Sequence, residues 1–161
     1  MNLDTTDWSI LRELQADARL SYAEIGRRVG LSSPAVQERV RRMEDNGIIE
    51  GYHAKVNVQK LNLPLMGIIR LVSVQDHATK EKILDILCQL PEVTACYQVT
   101  GEDEFIIHLH AQSIEHMSQI KMKFANLARL VTSIVIKRHI EHRIISAEAF
   151  PYLANTEDSS S

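Results

Sequence analysis

The chain has 161 residues, 45% of them hydrophobic and 24% charged, with a net charge of −3. This is the composition of a soluble globular protein with room for one ordinary domain or two small ones, and any positive surface must be placed locally rather than spread over the molecule. No apolar run approaches the roughly 20 residues of a membrane span, and the opening MNLDTTDW lacks a hydrophobic signal core, so a cytoplasmic protein is expected.

Thr5 or Thr6 is expected to cap a first helix reaching about Asp17, with Trp8, Leu11 and Leu14 as its buried stripe and Leu3 and Ile10 joining the same small core. A second helix opens at Ser21 with Glu24 three residues on, the spacing of a capping box. Ala23, Ile25 and Val29 form its apolar side, and Gly30 suits a left-handed C-terminal residue. Gly30, Leu31 and Ser32 make the turn. Ser33 before Pro34 reads as an N-cap and first helical position for a third helix running to Asn46, with Gly47 as its stop. At about 100° per residue, Val36, Val40 and Met43 share one face of that helix. Pro34, Ala35, Glu38, Arg41 and Arg42 share the other, with Gln37 and Arg39 on the flanks.

Two helices joined by a short glycine-containing turn, the second with an exposed arginine-rich face, follow the helix-turn-helix plan. Between Arg19 and Arg42 there are six arginines against Glu24 and Glu38. Arginine suits DNA because its planar fork grips phosphate, or guanine O6 and N7, through two bonds. The expected DNA-binding residues are Ser21, Tyr22, Arg27, Arg28, Ser32, Ser33, Pro34, Gln37, Glu38, Arg39, Arg41 and Arg42. Arg39 and Arg27 or Arg28 are placed nearer phosphates. A merely solvated amphipathic helix pair is the bland alternative.

Residues 3 to 57 carry LDTTDWSILRELQADAR, AEIGRRVGLS and VQERVRRMEDNGIIEGYHAKVN in order, and this stretch resembles the N-terminal domain of the Lrp/AsnC (feast/famine) transcriptional regulators. The resemblance implies a sequence-specific regulator whose partners are double-stranded DNA, a small-molecule effector such as an amino acid, and further copies of itself: a homodimer, and a higher homo-oligomer such as an octamer. No paired carboxylates, activated serine or cysteine, or phosphate-binding glycine loop argue for catalysis, so neither a cofactor nor an enzymatic activity is expected. Operators would be imperfect palindromes with half-sites about one helical turn, or a multiple of it, apart.

From Ile48 to about Val58 the sequence alternates and is β-prone, which reads as a strand leading out of the first domain; the resemblance implies that it pairs with its copy in a second subunit. A turn follows over Leu61 to Pro64. The remainder reads strand, helix, strand, strand, helix, strand. The strands are Leu65 to Val74, Val93 to Thr100, Glu104 to Ala111 and Val131 to about His142. The helices are Thr79 to Leu90, with Ile83, Leu84, Leu87 and Leu90 inward, and Ser113 to Ala128, with Ile114, Met117, Ile120, Phe124 and Leu127 inward. The fold expected is therefore α+β: a tri-helical helix-turn-helix domain (1–50), a strand linker (51–64), a ferredoxin-like βαββαβ (RAM) domain for effector binding and oligomerisation (65–143), and a polar acidic tail (144–161) disordered beyond about Tyr152. Helices can cover one face of such a sheet, and a partner subunit is the simplest cover for the other. Cys88 and Cys96 have neither metal nor disulfide spacing and read as reduced packing residues.

The connection TGEDEF, Thr100 to Phe105, combines a glycine able to open its backbone N–H groups to an anion with the carboxylates of Glu102, Asp103 and Glu104 for an ammonium. A plain hairpin turn has the same composition. The resembling family carries Thr-Gly-x-x-Asp here beside its effector pocket, which makes Thr100, Gly101, Glu102, Asp103 and Glu104 candidate effector contacts, with Thr132 and Ser133 as the opposite wall. Glu104 stands where the family has aspartate. Two other functions fit the same chain less well. A metal-responsive regulator would use His108 and His110 with His139 and His142. A sirohaem-decarboxylase-like enzyme would share both domains, but the His-Asn-Tyr-x-Arg stretch associated with it is missing.

Overall fold

The computed structural model of the chain describes residues 2–74, 76–141 and 143–147. The chain divides into two compact units, one running through Ala54 and resuming at Ile140, the other spanning Lys55–His139.

The first unit holds three helices, α1 (Thr5–Ala16), α2 (Tyr22–Val29) and α3 (Ser33–Asp45). Their stripes meet in one core of Ile10, Leu11, Leu14, Ile25, Val36, Val40 and Met43, with Leu3, Trp8, Val29 and Leu31 packed against it. The caps differ from expectation. Asp4, not Thr5 or Thr6, caps α1: its carboxylate accepts the Asp7 N–H at 2.7 Å while Asp7 accepts the Asp4 N–H at 3.2 Å, a reciprocal box made by two aspartates. At α2, Ser21 accepts from the Glu24 N–H, but the Glu24 carboxylate turns to Arg27 and Arg28. Charge-assisted bonds to guanidinium outcompete the neutral backbone N–H, so half of that capping box is not made. α3 starts one residue earlier than expected, with Ser32 as N-cap and Ser33 and Pro34 inside the first turn, where a missing N–H costs nothing.

The tight helix-to-helix turn depends on two glycines. Gly30 is left-handed (φ 75°) and ends α2. Gly26 is buried inside α2, where an added Cβ would collide with the Leu31 carbonyl oxygen that the turn brings against the helix. Past α3, left-handed Gly47 (φ 68°) reverses the chain. The Tyr52 hydroxyl then donates to Glu44 Oε1 at 2.9 Å; burial and this carboxylate push the phenol up to about 12. The strand expected from Ile48 to Val58 is not formed among the described residues. Alternating β-prone residues favour an extended backbone, but a strand also needs a ladder, and residues 51–57 have none within the chain. Within the second unit, a 3-10 turn, Val58–Leu61, and left-handed Asn62 lead into its first strand.

That unit is a four-stranded antiparallel sheet, β1 (Leu65–Val72), β2 (Val93–Gln98), β3 (Asp103–Ala111) and β4 (Arg129–Ile134), in the order β2-β3-β1-β4. Helices α4 (His77–Cys88) and α5 (Ile114–Met122) complete the βαββαβ order. Ile69, Leu71, Phe105, Ile107 and Leu109 point from one sheet face into a core with Ile83 and Leu87 of α4 and Met117, Ile120 and Phe124 from α5 and the turn after it. Gly67 lets α5 sit directly on β1, since a Cβ there would lie 2.5 Å from Met117 Cε. Leu84 and Ile114, expected inward, are 45% and 51% exposed because each lies at the border of its helical stripe. α5 also ends at Met122 rather than Ala128; a turn, not helix, carries Phe124 inward. β4 stops at Ile134, where its ladder to β1 runs out at Gly67. Both cysteines, expected to be packed, are exposed. His142 and the tail beyond Ala147 lie outside the described residues.

Candidate nucleic-acid interface and ligand turn

α3 buries Val36, Val40 and Met43 and leaves Pro34, Gln37, Glu38, Arg41 and Arg42 exposed, with Ser33 and Arg39 partly covered. Ser21 caps α2, Arg27 and Arg28 stand exposed in its last turn, and Ser32 caps α3, with Tyr22 half-buried against the core. The twelve residues expected at DNA therefore lie on a single helix-turn-helix unit, but their electrostatic setting is not the free positive patch that the sequence window suggests. Residues 1–54 contain seven arginines, no lysine and nine carboxylates. Nearly every arginine is held by a carboxylate of its own unit.

Arg41 is bracketed on its own helix by Glu38 (2.8 Å) and Asp45 (3.0 Å), with all three side chains well exposed. Pairs as exposed as these contribute little to stability, so the guanidinium is readily surrendered to a better acceptor. Arg27 and Arg28 share Glu24, and Arg28 also reaches Glu13 at 2.8 Å. Hydrogen bonds from Arg27 and then Arg28 hold the Glu24 carboxyl down to about 2.

Arg39 is different. Its Nη1 lies 2.7 Å from both Asp4 Oδ2 and Asp7 Oδ1, and Asp7 is completely buried. Arg42 Nη2 adds a bond to Asp7 Oδ2 at 3.1 Å. The two arginines clamp α3 to the N-terminus of α1, so Arg39 sits inward, as a strut, where the sequence suggested a phosphate contact. The Asp7 site was invisible to periodicity because its partners come from a helix more than 30 residues away.

In the second unit, Gly101 adopts φ 112°, a conformation that favours glycine, between β2 and β3. Thr100, Gly101 and Glu102 are exposed around it. The other carboxylates already have partners: Asp103 accepts from Arg70 Nη1 at 3.0 Å, and Glu104 from Lys80 Nζ and Gln98 Nε2, each at 2.7 Å. The Lys80 and Gln98 bonds hold the Glu104 carboxyl below its usual range. Thr132 and Ser133 do not open β4 but lie late in it, opposite Ile69 and Ile68 of β1, and as neighbours on a strand they point to opposite faces. One pocket wall cannot use both.

His108 and His110 share the sheet face away from the helices; Tyr97 meets His108 edge-on at 5.5 Å. The buried His110 leaves Nδ1 without a partner, and burial pushes its pKa down. Among the described residues no three His, Cys, Asp or Glu side chains converge on a point that could hold a metal.

Comparison with known proteins bears on both units. Residues 3–44 match the AsnC-type helix-turn-helix domain, and residues 68–145 match the Lrp/AsnC ligand binding domain. The chain is 35% identical over 135 residues to the HTH-type transcriptional regulator LrpC of Bacillus subtilis, covering 84% of this chain and 92% of that protein. It is 31% identical over 130 residues to the HTH-type transcriptional regulator LrpA of Mycobacterium tuberculosis, covering 81% and 86%. Among solved structures, the transcriptional regulator NMB0573 of Neisseria meningitidis in complex with L-Met superimposes with a TM-score of 0.84 at 26% identity, over 92% of this chain and 99% of that one. The structure of B. subtilis LrpC gives 0.80 at 34% identity, over 89% and 100%.

Proposed function

The chain belongs to the Lrp/AsnC family of HTH-type transcriptional regulators, and from that premise we propose how its residues divide the work. The protein is a DNA-binding regulator with a ligand-binding unit; the relatives are named as regulators, and the rival enzyme reading has no support in them. α3 enters the major groove. Gln37, Glu38 and Arg41 face base edges, with Ser33, Pro34 and Arg42 beside them, while Ser21, Tyr22, Arg27, Arg28 and Ser32 position the unit on the flanking phosphates. Arg39 serves the fold. The observation that carries this reading is the exposure of Glu38 and Arg41 on the side of α3 away from buried Val36, Val40 and Met43, with exposed Gln37 on its flank.

The protein works in the cytoplasm as a homodimer that assembles further, and binds palindromic operators. The half-buried sheet face carrying Met66, Ile68, Ile106 and His108 supports pairing, since helices cover only the opposite face. An amino acid is the effector class, in keeping with the methionine bound by the Neisseria neighbour. Thr100, Gly101 and Glu102 are the groups at the turn that lie open to it, whereas Asp103 and Glu104 must first leave Arg70 and Lys80.

Selection of genomic fragments by the purified full chain at physiological salt, with light-scattering mass measured in the presence of each of the twenty amino acids, tests the reading. Recovery of fragments sharing an imperfect palindrome is expected, together with a mass change for at least one amino acid. A folded protein that recovers no preferred fragment would overturn the regulator mechanism; an unchanged mass throughout would remove the amino-acid effector.

A further inference from the structure

In the second unit, a small cavity of about 190 Å³ lies beside the end of β3. Its walls come from three stretches of one chain: Gln59 and Pro64 before β1, Met66 and His110 opposite each other on β1 and β3, and Lys137 and Arg138 beyond β4. Ile107, Leu109 and Ala111 of β3 enter the core, so His110, between the last two, stands on the other face of the sheet. The Val135 N–H donates to the Met66 carbonyl at 2.9 Å, which keeps the stretch after β4 beside β1 as it approaches the cavity.

The lining sets the chemistry. His110 is only 8% exposed, and its Nδ1 has no hydrogen-bond partner among the described residues. Buried polar atoms are nearly always paired, so an orphan in a cavity wall marks a place for a polar ligand. None of the nine lining residues is acidic, and two are cations. Lys137 is exposed and meets no carboxylate among the described residues, whereas Arg70 and Lys80 of the same unit are held by Asp103 and Glu104. Burial, and then the charge of Arg138, push the His110 pKa down. A negative charge beside the ring would oppose both effects.

Size narrows the ligand further. The volume is that of about six water molecules at roughly 30 Å³ each, and lies below the roughly 300 Å³ at which pockets for organic ligands begin. An ion the size of phosphate fits; a whole amino acid with a large side chain does not. Nor is this the ligand turn. Asp103 opens β3 and His110 lies seven residues along the same strand, roughly 23 Å away at about 3.3 Å per residue. We propose that the cavity is a binding site for a small oxyanion, held by the His110 Nδ1–H, Lys137 and Arg138 and separate from the Gly101 turn. A neutral imidazole has one N–H to give, and an acceptor beside Nδ1 places it there.

Titration calorimetry of the full chain with inorganic phosphate, and separately with acetate, at constant ionic strength tests the site, with the imidazole proton resonances followed in parallel. Phosphate should bind saturably, once per chain, and move one histidine signal. The His110→Leu chain should lack both that signal and the binding. Lys137 is exposed, so Lys137→Met should keep the circular dichroism and thermal transition of the parent while weakening phosphate roughly tenfold, the worth of one charge-assisted hydrogen bond. That variant carries the test if His110→Leu does not fold. Saturable binding of acetate in place of phosphate would keep the site and make its ligand a small carboxylate. No saturable binding of either anion, or binding that both substitutions leave unchanged, would overturn the proposal; Nδ1 would then be satisfied by water or by a second copy on that face.

Discussion

Replacing Arg39 by alanine separates the strut from the DNA contact that its place in the sequence suggested. In the structure Arg39 Nη1 bridges Asp4 and Asp7 at 2.7 Å each, and the Asp7 carboxylate is fully buried. Removing one partner of a buried ion pair typically costs about 3–5 kcal/mol, because the remaining charge is left without compensation. Asp7 would keep Arg42 and the Asp4 N–H, so a loss of about 2–3 kcal/mol is expected. For a unit this small that lowers its melting transition by roughly 10–20 °C, at about 4–8 °C per kcal/mol. Thermal and urea unfolding followed by helical circular dichroism measure it directly. Operator affinity measured well below the lowered transition should fall little, since the residues proposed to face DNA remain. A variant of unchanged stability whose operator affinity drops by an order of magnitude would refute the reasoning and return Arg39 to the phosphates.

Other perturbations test neighbouring parts of the argument. Arg41→Ala should cost about 1–3 kcal/mol at the operator and relax preference at one base position; equal weakening on every sequence, in a binding-site selection, would make Arg41 a phosphate contact. Gly26→Ala drives a methyl group into the Leu31 carbonyl and should destabilise the first unit by about 1–3 kcal/mol, seen as an earlier thermal transition. Glu24, held down to about 2 by hydrogen bonds from Arg27 and Arg28 against an ordinary glutamate value of 4.5, contributes stability that is present above pH 4.5 and lost as pH falls toward 2. Acid titration of Glu24→Gln should accordingly show a shallower loss across that window than the parent, and an identical slope would mean the pair is not formed in solution. Glu104→Asp shortens the reach to Lys80 and Gln98 and should weaken both contacts while restoring the family's residue. Calorimetry against the twenty amino acids should then show tighter binding in the variant, and weaker binding would assign the Lys80 bridge to the site itself.

What could be read from the sequence was whatever local periodicity determines. Ile25, Val36, Val40 and Met43 repeat at helical spacing and all enter the first core, and the β-prone runs around Ile69 and Ile107 form adjacent strands because each buries one face. Reading fails where the deciding partner is distant or absent from the window. The six arginines between Arg19 and Arg42 gave a local surplus of positive charge only because Asp4, Asp7, Glu13 and Asp45 lie outside that stretch. Thr132 and Ser133 looked like a pair, yet adjacency on a strand is what separates them. The Ile48–Val58 strand failed for a related reason, since composition sets the preference for an extended chain but not the presence of a ladder. Leu84 and Ile114 show the limit of a helical wheel, which gives the centre of a stripe more securely than its edges.

The self-paired arginines have a thermodynamic consequence for how the protein searches DNA. A bare cationic surface gains affinity for any duplex by releasing counterions condensed on the phosphates, with log K falling by roughly 0.9 per contacted phosphate for each decade of salt. Here Glu24, Glu38 and Asp45 already neutralise Arg27, Arg28 and Arg41, and each carboxylate displaced by a phosphate must recover ions from solution. Part of the entropy gained from the DNA is thereby returned. The discount falls on every duplex alike, whereas the hydrogen bonds to base edges are collected only at the right site. A negatively balanced reading head therefore gives up general adhesion to the chromosome, and residence is left to depend on sequence.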